Sequence, residues 1–397
     1  MARKNNLMPS DEDKKDIIRF DSSLAKRGLE IISELGSRRI YVPNDYPSIM
    51  EALKHARDND TIELAEGIYQ ETLCITIPVE LVGCDFGKVI FESTFEYPVI
   101  TYLVNSGISK IRNIVIKKTD ELVWGIGIEI IEGVLEVENC RFEDFRISEE
   151  DFTQIKEHHT YDALFHTPSS AVHICSNESK SKFIRCSFVD CTDGIKIEHK
   201  SCVDLNSCSF INSFIYSSSY GDIRSNSCYY ISCGFWLNSY DKFESSYDTY
   251  LGESLLIYIG TSCIASYTHA TIVAEYLLAE YGVDLHSNYF DEEAVSEEGD
   301  LPPKNNPNIH FLDSILITLG FFSYFIEGNL YLNLSQINSA IKGILTFSKN
   351  NLISIPPYFH CQDPLVFFEN TVARLDLYSP ARNSASDGTN IGAWQDD

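Results

Sequence analysis

One short pattern returns five times along this chain and constrains its fold more than any other feature. It reads Asn113-Ile114-Val115-Ile116, Asn139-Cys140-Arg141-Phe142, Arg185-Cys186-Ser187-Phe188, Ser207-Cys208-Ser209-Phe210 and Ser227-Cys228-Tyr229-Tyr230. The intervals are 26, 46, 22 and 20 residues. An interval near 22 suits one three-sided coil of a solenoid, and 46 is one coil plus an insertion of about 24 residues. A second apolar pair follows each unit: Ile128 and Ile130, Val172 and Ile174, Ile195 and Ile197, Phe214 and Tyr216, Phe235 and Leu237. Alternation with period two places these pairs inside and the residues between them outside.

Stacked coils set equivalent residues about 4.8 Å apart, so the repeat predicts ladders. One is buried and small, Ile114-Cys140-Cys186-Cys208-Cys228. One is aromatic, Ile116-Phe142-Phe188-Phe210-Tyr230. A third is polar and marks a turn, Asp144-Asp190-Asn212-Ser232. The twelve cysteines then read as small interior packing groups, with no need for disulfides. The pairs Cys186/Cys191, Cys202/Cys208 and Cys228/Cys233 have spacings too loose for a structural zinc site, and the repeat explains one member of each.

The 397 residues would suggest several domains, but a solenoid lengthens by stacking and escapes that count. The net charge of −27 disfavours a phosphate backbone, an anionic membrane or a polyanionic glycan as partner. Residues 1–39 carry nine basic and seven acidic side chains, leaving 22 basic and 51 acidic in the remainder. The acidic body serves solubility first, and as an interaction surface it would face basic protein partners. No secretion signal opens the chain, and its longest apolar stretch, Ile315 to Ile326, is too short for a membrane helix. The expected location is intracellular and cytoplasmic, with reduced thiols.

Residues 10–35 carry Ile17, Phe20, Leu24, Ile31 and Leu35 at helical spacing behind the capping-type run Ser10-Asp11-Glu12-Asp13. A coil end needs a cover, so residues 1–36 are expected to form an arm and a capping helix. The segment that follows runs Ile40-Tyr41-Val42-Pro43-Asn44-Asp45-Tyr46-Pro47-Ser48-Ile49, then Asp60-Thr61-Ile62-Glu63-Leu64, Gly67-Ile68-Tyr69-Gln70-Glu71 and Val79-Glu80-Leu81-Val82-Gly83. This is a strand, a helix over about 47–57 with Ile49, Leu53 and Ala56 inward, and further strands and Gly turns. It resembles the opening of pectin-lyase-like right-handed parallel β-helix proteins. The resemblance extends over about 200 residues of repeats and implies an all-β solenoid.

In that superfamily, pectin methylesterases use two Asp and an Arg on neighbouring coils, with Gln shaping an oxyanion site. Gly67, Tyr69 and Glu71 match their Gly-x-Tyr-x-Glu segment, but none of their catalytic motifs is present. Polygalacturonases carry Asn-Thr-Asp, which Cys191-Thr192-Asp193-Gly194 echoes. Asp193 is therefore the one candidate catalytic residue, without the partners that two-carboxylate hydrolysis needs. No cofactor is expected. The resemblance in style is to non-catalytic relatives, such as the β-helix repeats of F-box, Shc-SH2-binding-type and NosD-like proteins.

The expected organisation is a β-helix over 37–290, an acidic, Pro-rich linker or loop over 291–307, further coils over 308–380 and a disordered tail over 381–397. An insertion over 146–169 interrupts the regular coil. Within it, Glu157, His158, His159, Asp162 and His166 are the candidate interaction residues, and His158, His159 and His166 the candidate metal ligands. The chain is expected to be a non-enzymatic interaction or scaffold subunit. The alternative is a carbohydrate-active or glycan-binding protein.

Overall fold

The computed structural model describes residues 37–93, 97–119, 122, 124–147, 169–176, 178–217, 221–237, 241–259, 263–281, 308–312, 315–325 and 331–334. The arm, the residues of the insertion between Ile147 and Ser169, residues 291–307 and the tail lie outside them. Among the described residues 27 strands wind as a parallel coil with three faces. The first face runs from Arg39–Val42 through Thr61–Leu64 and Glu80–Gly83 to Lys242–Ser246 and Ile264–Thr268. The second runs from Gly67–Tyr69 through Val89–Ser93, Arg141–Glu143 and Ser187–Val189. The third stacks Leu73–Ile75, Ser170–Ile174, Asp193–Ile197, Phe214–Ser217 and Gly234–Leu237, with the first half of Ile126–Glu138 between the first two of these. Asn308–Leu312, Ile315–Phe325 and Tyr331–Leu334 continue the same stacks in parallel register. None of the described helices is long and apolar enough to cross a membrane.

Two columns of corner residues turn the chain. Asn113, Asn139, Arg185, Ser207, Ser227, Tyr247 and His269 all adopt φ between 52° and 60° just before the second face. Asp144, Asp190, Asn212 and Ser232, the predicted polar turn, adopt φ between 49° and 64° just after it. A left-handed conformation costs an ordinary L-residue about 1–2 kcal/mol, least for Asn and Asp. Each corner is held by its neighbour. The Asn139 N–H donates to Ile184 O at 2.9 Å, Arg185 N–H to Asn206 O at 2.9 Å and Ser207 N–H to Asn226 O at 2.9 Å. Asn139 Nδ2 also donates to Asn113 Oδ1 at 2.8 Å, and Asn212 Nδ2 to Asp190 Oδ1 at 3.0 Å. The long strands Ile100–Arg112 and Ile126–Glu138 turn from the third face to the first at Gly107 (φ 91°) and Gly133 (φ 105°). A Cβ at Gly133 would sit 2.1 Å from Val104 O, so no other residue fits there.

The interior ladders form as the repeat predicts. The rings of Phe142, Phe188, Phe210 and Tyr230 stack at successive centroid distances of 4.9, 4.5 and 5.1 Å, and Tyr250 extends the stack at 4.7 Å. The ladder changes from Phe to Tyr where the first face supplies partners. Ser225 Oγ lies 2.7 Å from Tyr230 Oη, and Tyr250 Oη donates to Ser245 Oγ at 2.8 Å. Cys140, Cys186, Cys208 and Cys228 stack in the buried column, and all described cysteines are free. Cys191 and Cys233 occupy a second interior column, below Phe145 and around Ser213, so the pairs Cys186/Cys191 and Cys228/Cys233 are split between two corners. Burial pushes the Cys140, Cys191 and Cys233 thiols up to about 12, which leaves them as protonated packing groups.

Three local expectations differ from the structure. The early helix, α1, spans Ile49–His55, with Ser48 as its N-cap. Pro47 thus precedes the cap instead of standing in the first turn. Ile49 and Ala52 are its fully buried residues, while Leu53 and Ala56 pack more peripherally. The pair Phe214 and Tyr216 is not interior. Ile215 and Ser217 point inward there, and Phe214 is 39% exposed. The cause is a bulge: Asp193 opposes Phe214 and Ile195 opposes Ile215, so Gly194 is an extra residue and the alternation shifts by one on the next coil.

After Cys228 the small buried column continues with Asp248, which is fully buried. Asp248 Oδ1 accepts from Cys228 N–H at 2.7 Å and Oδ2 from Ser245 Oγ at 2.8 Å. Burial nevertheless raises its carboxyl to about 6. A raised acid favours the folded state fully only below its unfolded value, and this contribution fades as pH climbs through about 6. Asp248→Asn is therefore expected to stabilise the protein at pH 7 by up to about 3 kcal/mol, with the gain vanishing by about pH 4. Urea unfolding at both pH values reads this. In the same assay Phe188→Ala, which opens the middle of the aromatic stack, is expected to cost about 3–5 kcal/mol at either pH.

Candidate functional site

The outer sides of the three faces differ in chemistry. On the first face, charges pair between coils: Arg39 with Glu63, Arg112 with Glu80, Lys110 with Glu136, Arg185 with Glu138, and Arg224 with Asp204 and Glu244. These exposed pairs neutralise one another in place and present no convergent chemistry. A groove of about 330 Å³ at the first coils, near Tyr41, Glu63, Cys84 and Asn113, holds a single carboxylate already paired to Arg39.

The third face is different. Its backbone register aligns Glu129, His173, Lys196, Tyr216 and Trp236 in one outward column on successive coils. Interior neighbours Ile128, Ile130, Val172, Ile174, Ile195 and Ile197 pin each strand, being buried to within 1% of full coverage. Two residues further along their strands, Cys175 and Glu198 join the column. His173 Nε2 lies 3.0 Å from Glu198 Oε1 and Lys196 Nζ 3.1 Å from the same oxygen. Cys175 Sγ lies 3.5 Å from His173 Nδ1, 3.4 Å from His173 Nε2 and 4.0 Å from Glu129 Oε1. Below this polar group, Lys196 Nζ stands 5.9 Å over the Tyr216 ring, which stacks on Trp236 at 6.4 Å.

The electrostatics sort the roles. The hydrogen bond from His173, with the His173 and Lys196 charges, holds the Glu198 carboxyl down to about 2 against partial burial. Burial first, then the Glu198 and Glu129 charges, push the Cys175 thiol up to about 12. Such a thiol is no nucleophile at neutral pH, so a Cys-His-carboxylate arrangement does not act here as a cysteine hydrolase.

Asp193 lies on the bulge, buried, with its carboxyl raised by burial to about 7 and Lys196 pulling the other way. It stands in the same strand as Lys196, and its register partners on the coils either side are Ser170 and Phe214, neither of them a carboxylate. Glu157, His158, His159, Asp162 and His166 lie outside the described residues. The insertion does join the coil at this place. Ser170–Ile174, the strand bearing His173, follows it directly, and Ser169 Oγ donates to Phe145 O at 3.2 Å on its other side. Sequence alternation already puts Glu129, His173 and Lys196 outward. Joining them with Cys175 and Glu198 takes the coil register across the insertion.

The architecture is now plain. Among the described residues the chain is a three-faced parallel β-helix. No protein-family profile matches it, and no curated protein does. Among solved structures it is similar to the rice weevil pectin methyl esterase (10% identity, 71% of this chain and 77% of that one, TM-score 0.35). It is also similar to the pectin methylesterase PemA of Erwinia chrysanthemi (10% identity, 85% and 98%, TM-score 0.35). A third is the A-module of the Azotobacter vinelandii mannuronan C-5 epimerase AlgE4 (11% identity, 81% and 99%, TM-score 0.27).

A depressed acid stabilises the fold above its unfolded value and ceases to do so as pH falls through its folded one. Glu198→Gln is therefore expected to lower stability at pH 7 and to match the parent near pH 2. Thermal unfolding monitored across that range checks it.

Proposed function

We propose that this chain is a glycan-binding β-helix protein that holds an extended sugar chain along the outer side of its third face. The observation that carries this reading is the outward column in which Glu129, His173 and Lys196 give way to Tyr216 and Trp236 at one residue per coil. Aromatic faces receive the apolar sides of sugar rings, while carboxylates, imidazole and ammonium serve the hydroxyls. The column runs along the coil axis, which suits a polymer. Glu129, His173, Glu198 and Trp236 retain partial exposure, whereas Lys196 and Tyr216 are buried and support them.

The net charge of −27 favours neutral or esterified glycans over polyanions. Binding is the reading preferred to hydrolysis, because the two-Asp-plus-Arg set of the esterases has no counterpart in this column. A scaffold role for basic protein partners is the second reading. Its support is the broad first face, where cross-coil ion pairs such as Lys110 with Glu136 and Arg185 with Glu138 line the outer side.

A glycan array, followed by calorimetry with methyl-esterified and de-esterified oligogalacturonides and neutral oligosaccharides, tests this. Binding of a neutral or esterified chain is expected. Trp236→Ala is expected to weaken it on the order of tenfold, the scale of a lost aromatic contact. Folded protein that binds no glycan, yet is recovered from its native cells with a stoichiometric basic partner, would favour the scaffold instead.

A further inference from the structure

The group at the head of the column has a second property, which shares Glu129 and His173 with the proposed glycan face but is read without any glycan present. We propose that His173, Cys175 and Glu129 form a binding site for a zinc-class divalent cation, with Glu198 orienting His173 from behind. The three side chains offer one nitrogen, one sulfur and one carboxylate oxygen, all within 4.8 Å of one another. Tetrahedral zinc with bonds of about 2.0–2.3 Å sets its ligand atoms about 3.3–3.8 Å apart. Cys175 Sγ is 3.5 Å from His173 Nδ1 and 4.0 Å from Glu129 Oε1, and no pair in the set exceeds 4.8 Å, so closure takes side-chain shifts of up to about an ångström.

The second shell is already built. With a carboxylate as partner, His173 Nε2 is assigned as the protonated nitrogen, donating to Glu198 Oε1 at 3.0 Å. That leaves the Nδ1 lone pair as the ligand; Cys175 Sγ lies 3.5 Å from Nδ1 and 3.4 Å from Nε2, so a small turn of the ring aims Nδ1 at a cation shared with the sulfur. A carboxylate behind a ligating imidazole is the common device for fixing the tautomer and raising the basicity of a metal-bound histidine. Lys196 Nζ, 3.1 Å from Glu198 Oε1, keeps this carboxylate engaged away from the cation. Soft sulfur with imidazole selects zinc or cobalt over magnesium or calcium. Three protein ligands on a half-buried outer face leave the fourth position open to water or an exchangeable oxygen ligand. Binding releases one proton, from the Cys175 thiol, to solvent.

The ligands are not the histidines that sequence pattern singles out. His158, His159 and His166 are clustered in sequence, whereas His173, Cys175 and Glu129 are brought together by coil stacking. The full-length chain, stripped with chelator, is titrated with Co²⁺ and followed by absorption, with Zn²⁺ as competitor. The expected result is stoichiometric binding with a thiolate-to-cobalt charge-transfer band that Zn²⁺ abolishes. Cys175→Ser is expected to remove the band, and Glu198→Gln to weaken binding about 10- to 100-fold. Cys74→Ser/Cys84→Ser, which changes two exposed thiols, and the triple variant His158→Ala/His159→Ala/His166→Ala are expected to keep it. Circular dichroism of each variant confirms folding. A folded parent without the band, a band that survives Cys175→Ser, or one lost in the triple-histidine variant would each overturn the proposal.

Discussion

Everything in this β-helix depends on coils lying in register, one rung directly over the next. The left-handed corners set that register, since each corner N–H is satisfied by the carbonyl of the coil beside it. Once register is fixed, chemistry accumulates in columns. Apolar and aromatic groups gain from stacking on their own kind, and the Phe142-to-Tyr250 stack is the result. Charges do not, because like charges at rung spacing repel. The first face answers with alternation, Glu80, Lys110, Glu136, Lys182, Asp204, Arg224 and Glu244 on successive coils, and so carries part of a strongly acidic chain without stacking like charges there.

Much of this was legible in the sequence. The repeat of Cys140, Cys186, Cys208 and Cys228 with Phe142, Phe188, Phe210 and Tyr230 identified the coil, its interior and its stacked rings. Asp144, Asp190, Asn212 and Ser232 marked a corner. What escaped was anything that breaks the period. Gly194 adds one residue and turns Phe214 and Tyr216 outward, a change that alternation within a single strand cannot reveal. The hydroxyl partners Ser225 and Ser245 explain the Tyr substitutions in the ladder only once the first and second faces are seen to meet. The third-face group is the clearest case. Glu129 and His173 are separated by the insertion, and nothing local in either strand announces that they are neighbours.

The segment that resembles pectin-modifying enzymes has a structural explanation. The Glu71 carboxylate accepts the Ile49 and Met50 N–H groups at 3.0 Å each, beside the Ser48 cap of α1, and Tyr69 Oη donates to Ala65 O at 2.8 Å. Capping a helix start satisfies donors that would otherwise be orphaned. Gly-x-Tyr-x-Glu is therefore a fastening for the first coils. Its contacts are those of the scaffold, so it bears on architecture and says little of activity.

The buried Asp248 also bears on how such a molecule comes apart. Each rung touches only the rungs on either side, so stability is distributed along a line of neighbours. A carboxyl raised to about 6 by burial, set among Ser245, Tyr250 and Cys228, is a pH-dependent weak link in that line. Asp193, whose carboxyl burial raises to about 7, is a second such rung, so the line weakens at two places as pH climbs. Asp193 shares its strand with Lys196 of the third-face column, so loosening at high pH would reach the column as well as the later coils.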